Sequence, residues 1–334
     1  MTILIALIVF GVMIGVHEAG HLVAAKASGI LVHEFAIGMG PKLLSWQGKE
    51  TKYSLRLLPI GGFCNLEGEN GESTDERAFC NAKNWQKLWV LASGAIMNLV
   101  LGFVVLLCFY GGQDKVAEPV VHEVLENTPA YSANLQPGDR VVKMNSTKIN
   151  IYPDLKFFFL KNGNKPFDLT VERDGKEIVI QNFKPYESEG QAYLGFTAAA
   201  PDNTFLTTVK NSFYMEFFMG KIVLDGLWQL ISGGASLEDA SGPVGIVNEV
   251  GKAAKSGFTD LLYIVALITI NLGLFNLLPI PALDGGRILF VLISMIIRRK
   301  VPENIEAGFH ATGMFLLLLL MLIVTFNDVG RIFG

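Results

Sequence analysis

Four long apolar runs, separated by polar stretches, dominate the pattern of the chain. They cover about residues 2–27, 88–110, 261–278 and 312–326. A helix of about 20 apolar residues crosses the hydrocarbon core of a bilayer. Hydrophobic residues make up 51% of the 334 positions, which is typical of a membrane protein that also has some aqueous mass. The pattern therefore predicts a polytopic α-helical membrane protein with four transmembrane helices.

The polar stretches predict further structure between these helices. Charged and turn-forming residues are frequent again in residues 113–200, which predicts a small α+β domain. Within it, Asp174-Gly175 predicts a hairpin turn. Residues 201–231 are apolar but interrupted by charges, which favours an amphipathic helix at the membrane interface. Residues 232–258 are rich in Gly and Ser and predict a loop. The predicted domains are 1–112, 113–200, 201–258 and 259–334.

The polar stretch after the first apolar run predicts a membrane-associated β-hairpin. Apolar and polar residues alternate over Thr51–Leu58, and Pro59–Phe63 follow as a predicted turn. Backbone beside a membrane needs covered edges, and the edge near Ser54–Leu57 can be covered by an extended substrate. An ordinary cytoplasmic hairpin explains the same pattern equally well.

The first apolar run contains the sequence His17-Glu18-Ala19-Gly20-His21. Positions i and i+4 share one face of a helix, so two imidazoles can bind one metal ion while Glu18 reaches a water beside it. Two histidines and a carboxylate leave one tetrahedral position open, as in catalytic zinc sites. Ionisable groups at membrane depth are costly and seldom kept without function. These residues predict a catalytic zinc site within or just below a membrane.

The third apolar run ends at two prolines, Pro279 and Pro281, and Asp284 follows them. Prolines two residues apart cannot continue a regular helix. Open backbone at membrane depth is tolerated where it is buried in protein or lines a cavity. The sequence therefore predicts an irregular segment near the end of the third helix.

Basic residues concentrate in two connecting stretches and predict the orientation. They are Lys42, Lys49, Lys52, Arg56, Arg77, Lys83 and Lys87 after the first helix, and Arg298, Arg299 and Lys300 after the third. Short loops rich in Lys and Arg face the cytoplasm. Both termini and residues 113–200 are then extracytoplasmic, and the two segments that carry His17 and Asp284 meet near the cytoplasmic side.

Charge and the remaining candidate residues exclude several classes of protein. The formal net charge of −4 gives no indication of a basic surface that would bind nucleic acid. Three cysteines without paired spacing indicate neither a disulfide framework nor a cysteine zinc site. His33, His122 and His310 have no partner at ligand spacing, so we expect them at the surface or at interfaces.

Four motifs together resemble the site-2 proteases, a family of intramembrane zinc metalloproteases, and within it the bacterial regulators with a PDZ domain. His17-Glu18-x-x-His21 resembles the zinc motif, and Asn276-x-x-Pro279-x-Pro281-x-x-Asp284-Gly285 resembles the second motif. Pro129–Asn145 resembles a PDZ signature, and Gly94-x-x-x-Asn98 resembles a weaker motif of the second helix. Ala95 stands where many members have proline, and only one insert of PDZ size is present. From sequence alone, helix packing explains Gly94 and Asn98 equally well.

The resemblance implies the chemistry of the site. Asp284 is expected as the third zinc ligand and Glu18 as the general base. Asn276, Pro279 and Pro281 are expected to bind substrate, with Asn276 bonding its backbone near the cleaved peptide bond.

The resemblance also implies partners and a location. Substrates are expected to be single-pass membrane proteins, such as a trimmed anti-sigma factor or a remnant signal peptide, in contact with membrane lipid. The implied location is the bacterial inner membrane, with an extracytoplasmic PDZ domain. The alternatives are a non-proteolytic zinc-binding scaffold, which would lack a ligand or Glu18, and a metal transporter, which would need several intramembrane acidic or histidine positions along a path, whereas the sequence has one such cluster.

Overall fold

The structure, a computed structural model, describes residues 2–69, 71–188, 191–234, 241–299 and 301–333. Lys300 and residues 235–240 of the predicted loop lie outside the described residues. The chain divides into two compact units. One consists of Met1–Leu106 and Met219–Gly334, and the other, the inserted unit, is Leu107–Phe218.

The described residues form long helices and shorter strands. The helices are α1 (Thr2–Ala27), α2 (Asn84–Gly111), α3 (Pro129–Ser132), α4 (Tyr152–Asn162), α5 (Phe205–Ser232), α6 (Pro243–Ser256), α7 (Phe258–Leu277), α8 (Asp284–Ile297) and α9 (Glu303–Phe333). The strands are β1 (Val32–Gln47), β2 (Lys52–Leu66), β3 (Val121–Val124), β4 (Arg140–Met144), β5 (Thr147–Lys148), β6 (Phe167–Arg173), β7 (Lys176–Phe183), β8 (Tyr186–Ser188), β9 (Gln191–Tyr193) and β10 (Phe196–Ala198). A short 3₁₀ turn covers Phe79–Asn81.

Four helices in the described residues are long and apolar enough to cross a membrane, which confirms the prediction from the apolar runs. They are α1, α2, α7 and α9. The helix α1 ends where Gly29 adopts φ +77° and the Ile30 amide donates to the Ala25 carbonyl at 2.9 Å. Glycine favours this left-handed helix end because it has no Cβ. The chain is a multi-pass membrane protein.

The two strands after α1 form a bent antiparallel hairpin rather than a simple one. Residues 34–37 pair with residues 62–65 on one side and with residues 52–55 on the other, and residues 52–55 also pair with residues 44–47. Both strands therefore bend sharply. Gly38 and Gly61 adopt φ +87° and +81°, which a residue with a Cβ rarely adopts.

Two predictions for this hairpin are wrong. The predicted turn at Pro59–Phe63 is part of β2, and the chain reverses near Gly48, whose amide donates to the Thr51 carbonyl at 2.9 Å. Gly61 lies at a bend in the strand, and Gly62 allows the close approach of Glu18. The predicted open edge is also wrong, because Ser54 and Leu55 are paired on both sides. The outer edges are residues 62–65 and 44–47, and no further strand pairs with them among the described residues.

The inserted unit contains the α+β structure that the sequence predicts. Four strands form a sheet in the order β5-β4-β6-β7, and β3 pairs with β10. The hairpin across Asp174-Gly175 is confirmed, with Arg173 opposite Lys176. Its core is a cluster of buried side chains that includes Met144, Leu169 and Val171.

A buried ion pair closes the turn before β4. Asp139 is fully buried and accepts hydrogen bonds from Arg173 at 2.6 and 2.7 Å and from the Gln136 amide at 2.8 Å. Burial raises the pKa of this carboxyl, but the hydrogen bonds from Arg173 and Gln136 outweigh it, so the pKa lies below its usual value. Asp139, within the Pro129–Asn145 stretch, is therefore a structural residue that ties the turn to β6.

The stretch after the inserted sheet is helical over most of its length. A helix at residues 201–231 is confirmed by α5. The predicted loop at 232–258 is wrong in its second half, where α6 begins with Pro243 in its first turn. Its small residues serve packing, since a Cβ on Gly251 would overlap the side chain of Thr2. The carboxylate of Asp328 on α9 accepts the Gly245 amide at 2.7 Å and satisfies the first turn of α6.

Candidate metal centre

The helix α1 places two imidazoles at one point. His17 and His21 are one turn apart, and their Nε2 atoms lie 3.2 Å from each other. The rings stand edge to face, with centroids 4.8 Å apart and planes at 82°. Both rings are largely buried, with 12% of each side chain exposed. The i,i+4 spacing therefore produces the predicted pair of convergent nitrogens.

The break between α7 and α8 brings a carboxylate to the same point. Asp284 is the first residue of α8, and its Oδ2 lies 3.2 Å from His17 Nε2 and 3.4 Å from His21 Nε2. The chain turns tightly there, because a Cβ on Gly285 would overlap the Leu278 carbonyl. Residues of α1 and of the start of α8 thus meet in one cluster of possible metal ligands.

The second nitrogen of each imidazole has a partner on α2. His21 Nδ1 lies 2.8 Å from the Val90 carbonyl oxygen, so Nδ1 carries the hydrogen and donates it there. His17 Nδ1 lies 3.3 Å from the side-chain amide of Asn98, which is fully buried. Partners of this kind fix the tautomer and the ring orientation of metal-binding histidines. On His21, the hydrogen on Nδ1 leaves the Nε2 lone pair directed at Asp284.

The three facing atoms fit a zinc ion. Ligand atoms about 2.0–2.2 Å from a tetrahedral zinc lie roughly 3.3 Å apart, and the observed separations are 3.2, 3.2 and 3.4 Å. Asp284 Oδ2 is buried without a hydrogen-bond partner, although a buried carboxylate oxygen is costly to leave unpaired. Two imidazole nitrogens and one carboxylate oxygen in this arrangement form a possible donor set for a cation.

Gly94 on α2 makes room for the imidazoles. A Cβ there would overlap His21 Nε2 and lie 2.8 Å from His17 Cε1. Gly20 brings α1 equally close to α2, since its Cβ would lie 2.9 Å from Met97 Cγ. Sequence reasoning left Gly94 and Asn98 undecided between helix packing and a family motif. In the structure both contact the histidines.

Glu18 lies between the histidine pair and the hairpin. A Cβ on Gly62 would lie 2.9 Å from Glu18 Cγ, so this carboxylate side chain runs directly over β2. Residues 62–65 are an outer edge of the hairpin. Glu18 therefore separates the cluster of possible ligands from a strand that has backbone groups available for pairing.

The other predicted site residues lie around the α7–α8 break. Asn276 is 8% exposed in the last turn of α7, and its amide nitrogen donates to the Leu272 carbonyl at 2.9 Å. Pro279 is exposed, while Pro281 packs against Gly313 of α9, where a Cβ would lie 2.7 Å from the proline Cγ. Asn276 and Pro279 thus flank the segment that carries Asp284, and Pro281 joins it to α9.

Sequence reasoning missed two contacts of this region. Arg287, one turn after Asp284 on α8, forms an ion pair with Glu69 of the loop after β2. His310 of α9 accepts the Ala282 amide at Nδ1. Neither pair has a spacing that sequence alone could detect, since each joins segments far apart in the chain.

Comparison with known proteins shows the family to which the chain belongs. The model of peptidase family M50 matches residues 5–320. A protein of Clostridium acetobutylicum, provisionally named a zinc metalloprotease, is 39% identical over 329 residues, covering 98% of this chain and 97% of that protein. A similarly named protein of Fusobacterium nucleatum is 36% identical over 342 residues and covers the whole of both. The regulator of sigma-W protease RasP of Bacillus subtilis is 30% identical over 417 residues, covering 99% of each chain.

Proposed function

Because this chain belongs to peptidase family M50, the site-2 protease family, and is a zinc metallopeptidase, we propose that it cleaves peptide bonds inside membrane-spanning substrates. The observation that carries the proposal is that His17 and His21, on a helix apolar enough to span a membrane, meet Asp284 at the start of α8.

His17, His21 and Asp284 would hold the zinc ion of this family. Bound zinc supplies a Lewis acid that polarises the scissile carbonyl and acidifies a water molecule. Glu18 contributes the base that accepts the proton from this water and returns it to the leaving amine. Asn98 and the Val90 carbonyl keep both imidazoles oriented through their Nδ1 atoms. Asn276 would bond the substrate backbone once its amide leaves the Leu272 carbonyl.

The substrate must present an extended segment, because the peptide bonds of an intact helix are shielded by their own hydrogen bonds. We place this segment along residues 62–65, the outer edge beside Glu18, rather than at the interior residues Ser54 and Leu55. Addition of the substrate as a strand would pair the free backbone groups of this edge with those of the unwound substrate. Large apolar side chains are exposed elsewhere on the hairpin, which supports its contact with lipid; they are Met39, Leu43, Leu44, Trp46, Leu55, Leu57 and Leu58.

The test is cleavage of a single-pass substrate in proteoliposomes by the unaltered protein and by Glu18→Gln. We expect Glu18→Gln to keep zinc, measured by elemental analysis, and to lower the cleavage rate roughly 10²–10⁴-fold, because only the proton acceptor is lost. A chelator should stop cleavage by the unaltered protein.

The matched control is Glu126→Gln, the same chemical change on an exposed residue of the inserted unit. It should cleave at the unaltered rate. Cleavage by Glu18→Gln at a near-normal rate would assign the base to another residue. Cleavage that persists in a zinc-free protein would exclude the proposed chemistry.

For the inserted unit we propose an extracytoplasmic PDZ domain over residues 113–200 that excludes substrates with bulky external domains. The basic loops support this orientation, in the plasma membrane of a bacterium with both termini outside. Trimmed anti-sigma factors and remnant signal peptides are the proposed substrates; the name of the Bacillus subtilis relative, a regulator of sigma-W, supports the first of these.

A deletion tests the exclusion. The Val116 amide donates to the Pro201 carbonyl at 3.3 Å, so a short Gly/Ser bridge can replace residues 117–200. Cleavage of untrimmed substrate should rise relative to trimmed substrate. If that ratio stays constant in a folded, zinc-loaded protein, size exclusion is wrong, and a loss of trimmed-substrate cleavage would indicate peptide presentation.

A further inference from the structure

The segment that joins α7 to α8 is bonded to α9 through one backbone group. Leu278–Leu283 contains two prolines, so only four of its residues have an N–H. Three of these amides bond locally, to carbonyls of Phe275, Leu278 and Ile280. The fourth, that of Ala282, donates to Nδ1 of His310 on α9 at 2.9 Å.

Ala282 adopts a backbone conformation that needs support. Its φ is +68°, in the left-handed region that residues with a Cβ disfavour. Such conformations persist where the surroundings determine them, and they cluster at functional sites. Ala282 lies two residues before Asp284, so its conformation sets the direction in which the chain enters α8.

One face of α9 supplies this support. Gly313 lies three residues after His310, on the same helical face, and Pro281 packs directly against it. The imidazole of His310 is itself held between aromatic rings, 5.9 Å from the Phe290 centroid and 5.5 Å from the Phe309 centroid. The ring therefore has a fixed orientation, and its Nδ1 points at the Ala282 amide.

The hydrogen bond also fixes the tautomer of His310. Because Nδ1 accepts the Ala282 N–H, the ring hydrogen is on Nε2. Nε2 is buried and has no hydrogen-bond partner among the described residues. The Nε2–H of His310 therefore has no acceptor among the described residues, while Nδ1 accepts the hydrogen bond from Ala282. This arrangement is expected if the hydrogen bond at Nδ1 is the one that matters.

We infer that His310 is a positioning residue of the metal centre. Its Nδ1 holds the Ala282 backbone and so places the Asp284 carboxylate opposite the two imidazoles of α1. The inference rests on the proposed role of Asp284 as a zinc ligand. His310 touches no reacting atom, and its contribution reaches the site through three residues of backbone.

Two substitutions separate this role from packing. His310→Asn keeps an acceptor, because its Oδ1 occupies nearly the place of the imidazole Nδ1. His310→Phe keeps a ring between Phe290 and Phe309 and removes the acceptor. His122→Phe, which changes an exposed histidine of β3, is the control for loss of a histidine as such.

The first measurement needs no metal. Amide hydrogen exchange of the zinc-free protein, followed in peptides that cover residues 278–283, reports the Ala282 N–H against few other amides. We expect exchange at Ala282 to rise at least about tenfold in His310→Phe and to stay near the unaltered rate in His310→Asn. Equal exchange in all three proteins would overturn the inference.

The second measurement is zinc affinity by competition with a chelator, with the visible spectrum of the cobalt-substituted protein as a report on ligand geometry. Loss of an outer partner typically costs 10–100-fold in metal affinity, and we expect this for His310→Phe with an altered cobalt spectrum. His310→Asn and His122→Phe should resemble the unaltered protein.

The outcomes separate the two proposals. If the unaltered protein binds no zinc through Asp284, the proposed function fails, whatever the exchange data show. If it binds zinc and a folded His310→Phe binds it equally well, only the positioning role fails. Should His310→Phe not fold, His310→Leu, which also lacks the acceptor, takes its place: normal Ala282 exchange and normal zinc affinity in a folded His310→Leu overturn the inference, and a loss of both supports it.

Discussion

The two units of the chain differ in whether their buried polar side-chain atoms have hydrogen-bond partners. In the described part of the inserted unit, every buried side-chain nitrogen or oxygen has a hydrogen-bond partner. Seven such atoms lack one in the described residues, and all belong to the unit with the metal centre: Thr51 Oγ1, Arg56 Nε, Asn98 Oδ1, Thr269 Oγ1, Asn271 Oδ1, Asp284 Oδ2 and His310 Nε2. Two of the seven, Asn98 Oδ1 and Asp284 Oδ2, belong to residues of the candidate metal centre.

The cost of these unpaired atoms explains why the difference is informative. Leaving a buried polar atom without a partner costs about 1–3 kcal/mol. Asp139 in the inserted unit avoids the cost through Arg173, whereas Asp284 Oδ2 faces two imidazole nitrogens and no donor. A carboxylate that is buried without a donor is suited to a cation, so the unpaired oxygen is itself a functional signature.

The largest expected effect comes from removing the unpaired carboxylate. Asp284→Ala should abolish zinc retention and cleavage, because it removes the oxygen of a three-ligand set. The thermal stability of the zinc-free protein should stay the same or rise, since a buried unpaired group is lost. Elemental analysis and a thermal melt in detergent measure the two effects. Full zinc retention would remove Asp284 from the ligand set.

Removing Arg173, the partner of the Asp139 carboxylate, should lower stability and leave zinc content unchanged. Arg173→Leu leaves Asp139 buried without its countercharge, which typically costs about 3–5 kcal/mol. Unfolding of the inserted unit in denaturant should shift accordingly, while zinc content stays at its unaltered level. Zinc loss in this variant would show that the two carboxylates do not differ in role as described.

A smaller effect is expected where no candidate ligand is removed. Gly94→Ala places a methyl group against both imidazoles, and we expect about a 10–100-fold loss of zinc affinity, comparable with disturbance of an outer partner. Gly11→Ala on α1 is the matched control, because nothing lies within 4 Å of its added Cβ. Equal zinc affinity in both variants would contradict the close approach of α2.

The smallest expected effect concerns a second satisfied carboxylate. Asp154 accepts the Asn150 and Ile151 amides at 2.9 and 3.1 Å at the start of α4. Asp154→Ala should destabilise the inserted unit by about 0.5–2 kcal/mol, the usual range for a lost helix cap. Denaturant unfolding measures this, and zinc content should not change. A drop in zinc content would mean that this carboxylate also serves the metal centre.

The sequence predicted the parts of the molecule that depend on local spacing. The pair His17 and His21 follows from helical periodicity, and the four spans follow from the length of the apolar runs. Asp284 could be assigned only through family resemblance, because its approach to α1 depends on a broken helix far along the chain. The base role of Glu18 and the substrate role of Asn276 stay predictions.

Glycine explains most of what the sequence misjudged. Gly61 and Gly62 favoured a turn, but the structure uses them for a strand bend and for contact with Glu18. Residues 243–256 were expected in a loop, yet Gly251 packs against α1, and Asp328, 83 residues after Gly245, satisfies the helix start. A glycine that permits close packing and one that permits a turn are indistinguishable without the neighbouring segment.

The separation of the ligands along the chain also sets a delay during synthesis. Asp284 follows His21 by about 260 residues, with the whole inserted unit between them. At translation rates of about 5–20 residues per second, the carboxylate leaves the ribosome roughly 10–50 s after the histidines. During that interval the nascent chain carries only two of the three candidate ligands. A chain truncated before Asp284 lacks the third candidate ligand and should retain no zinc.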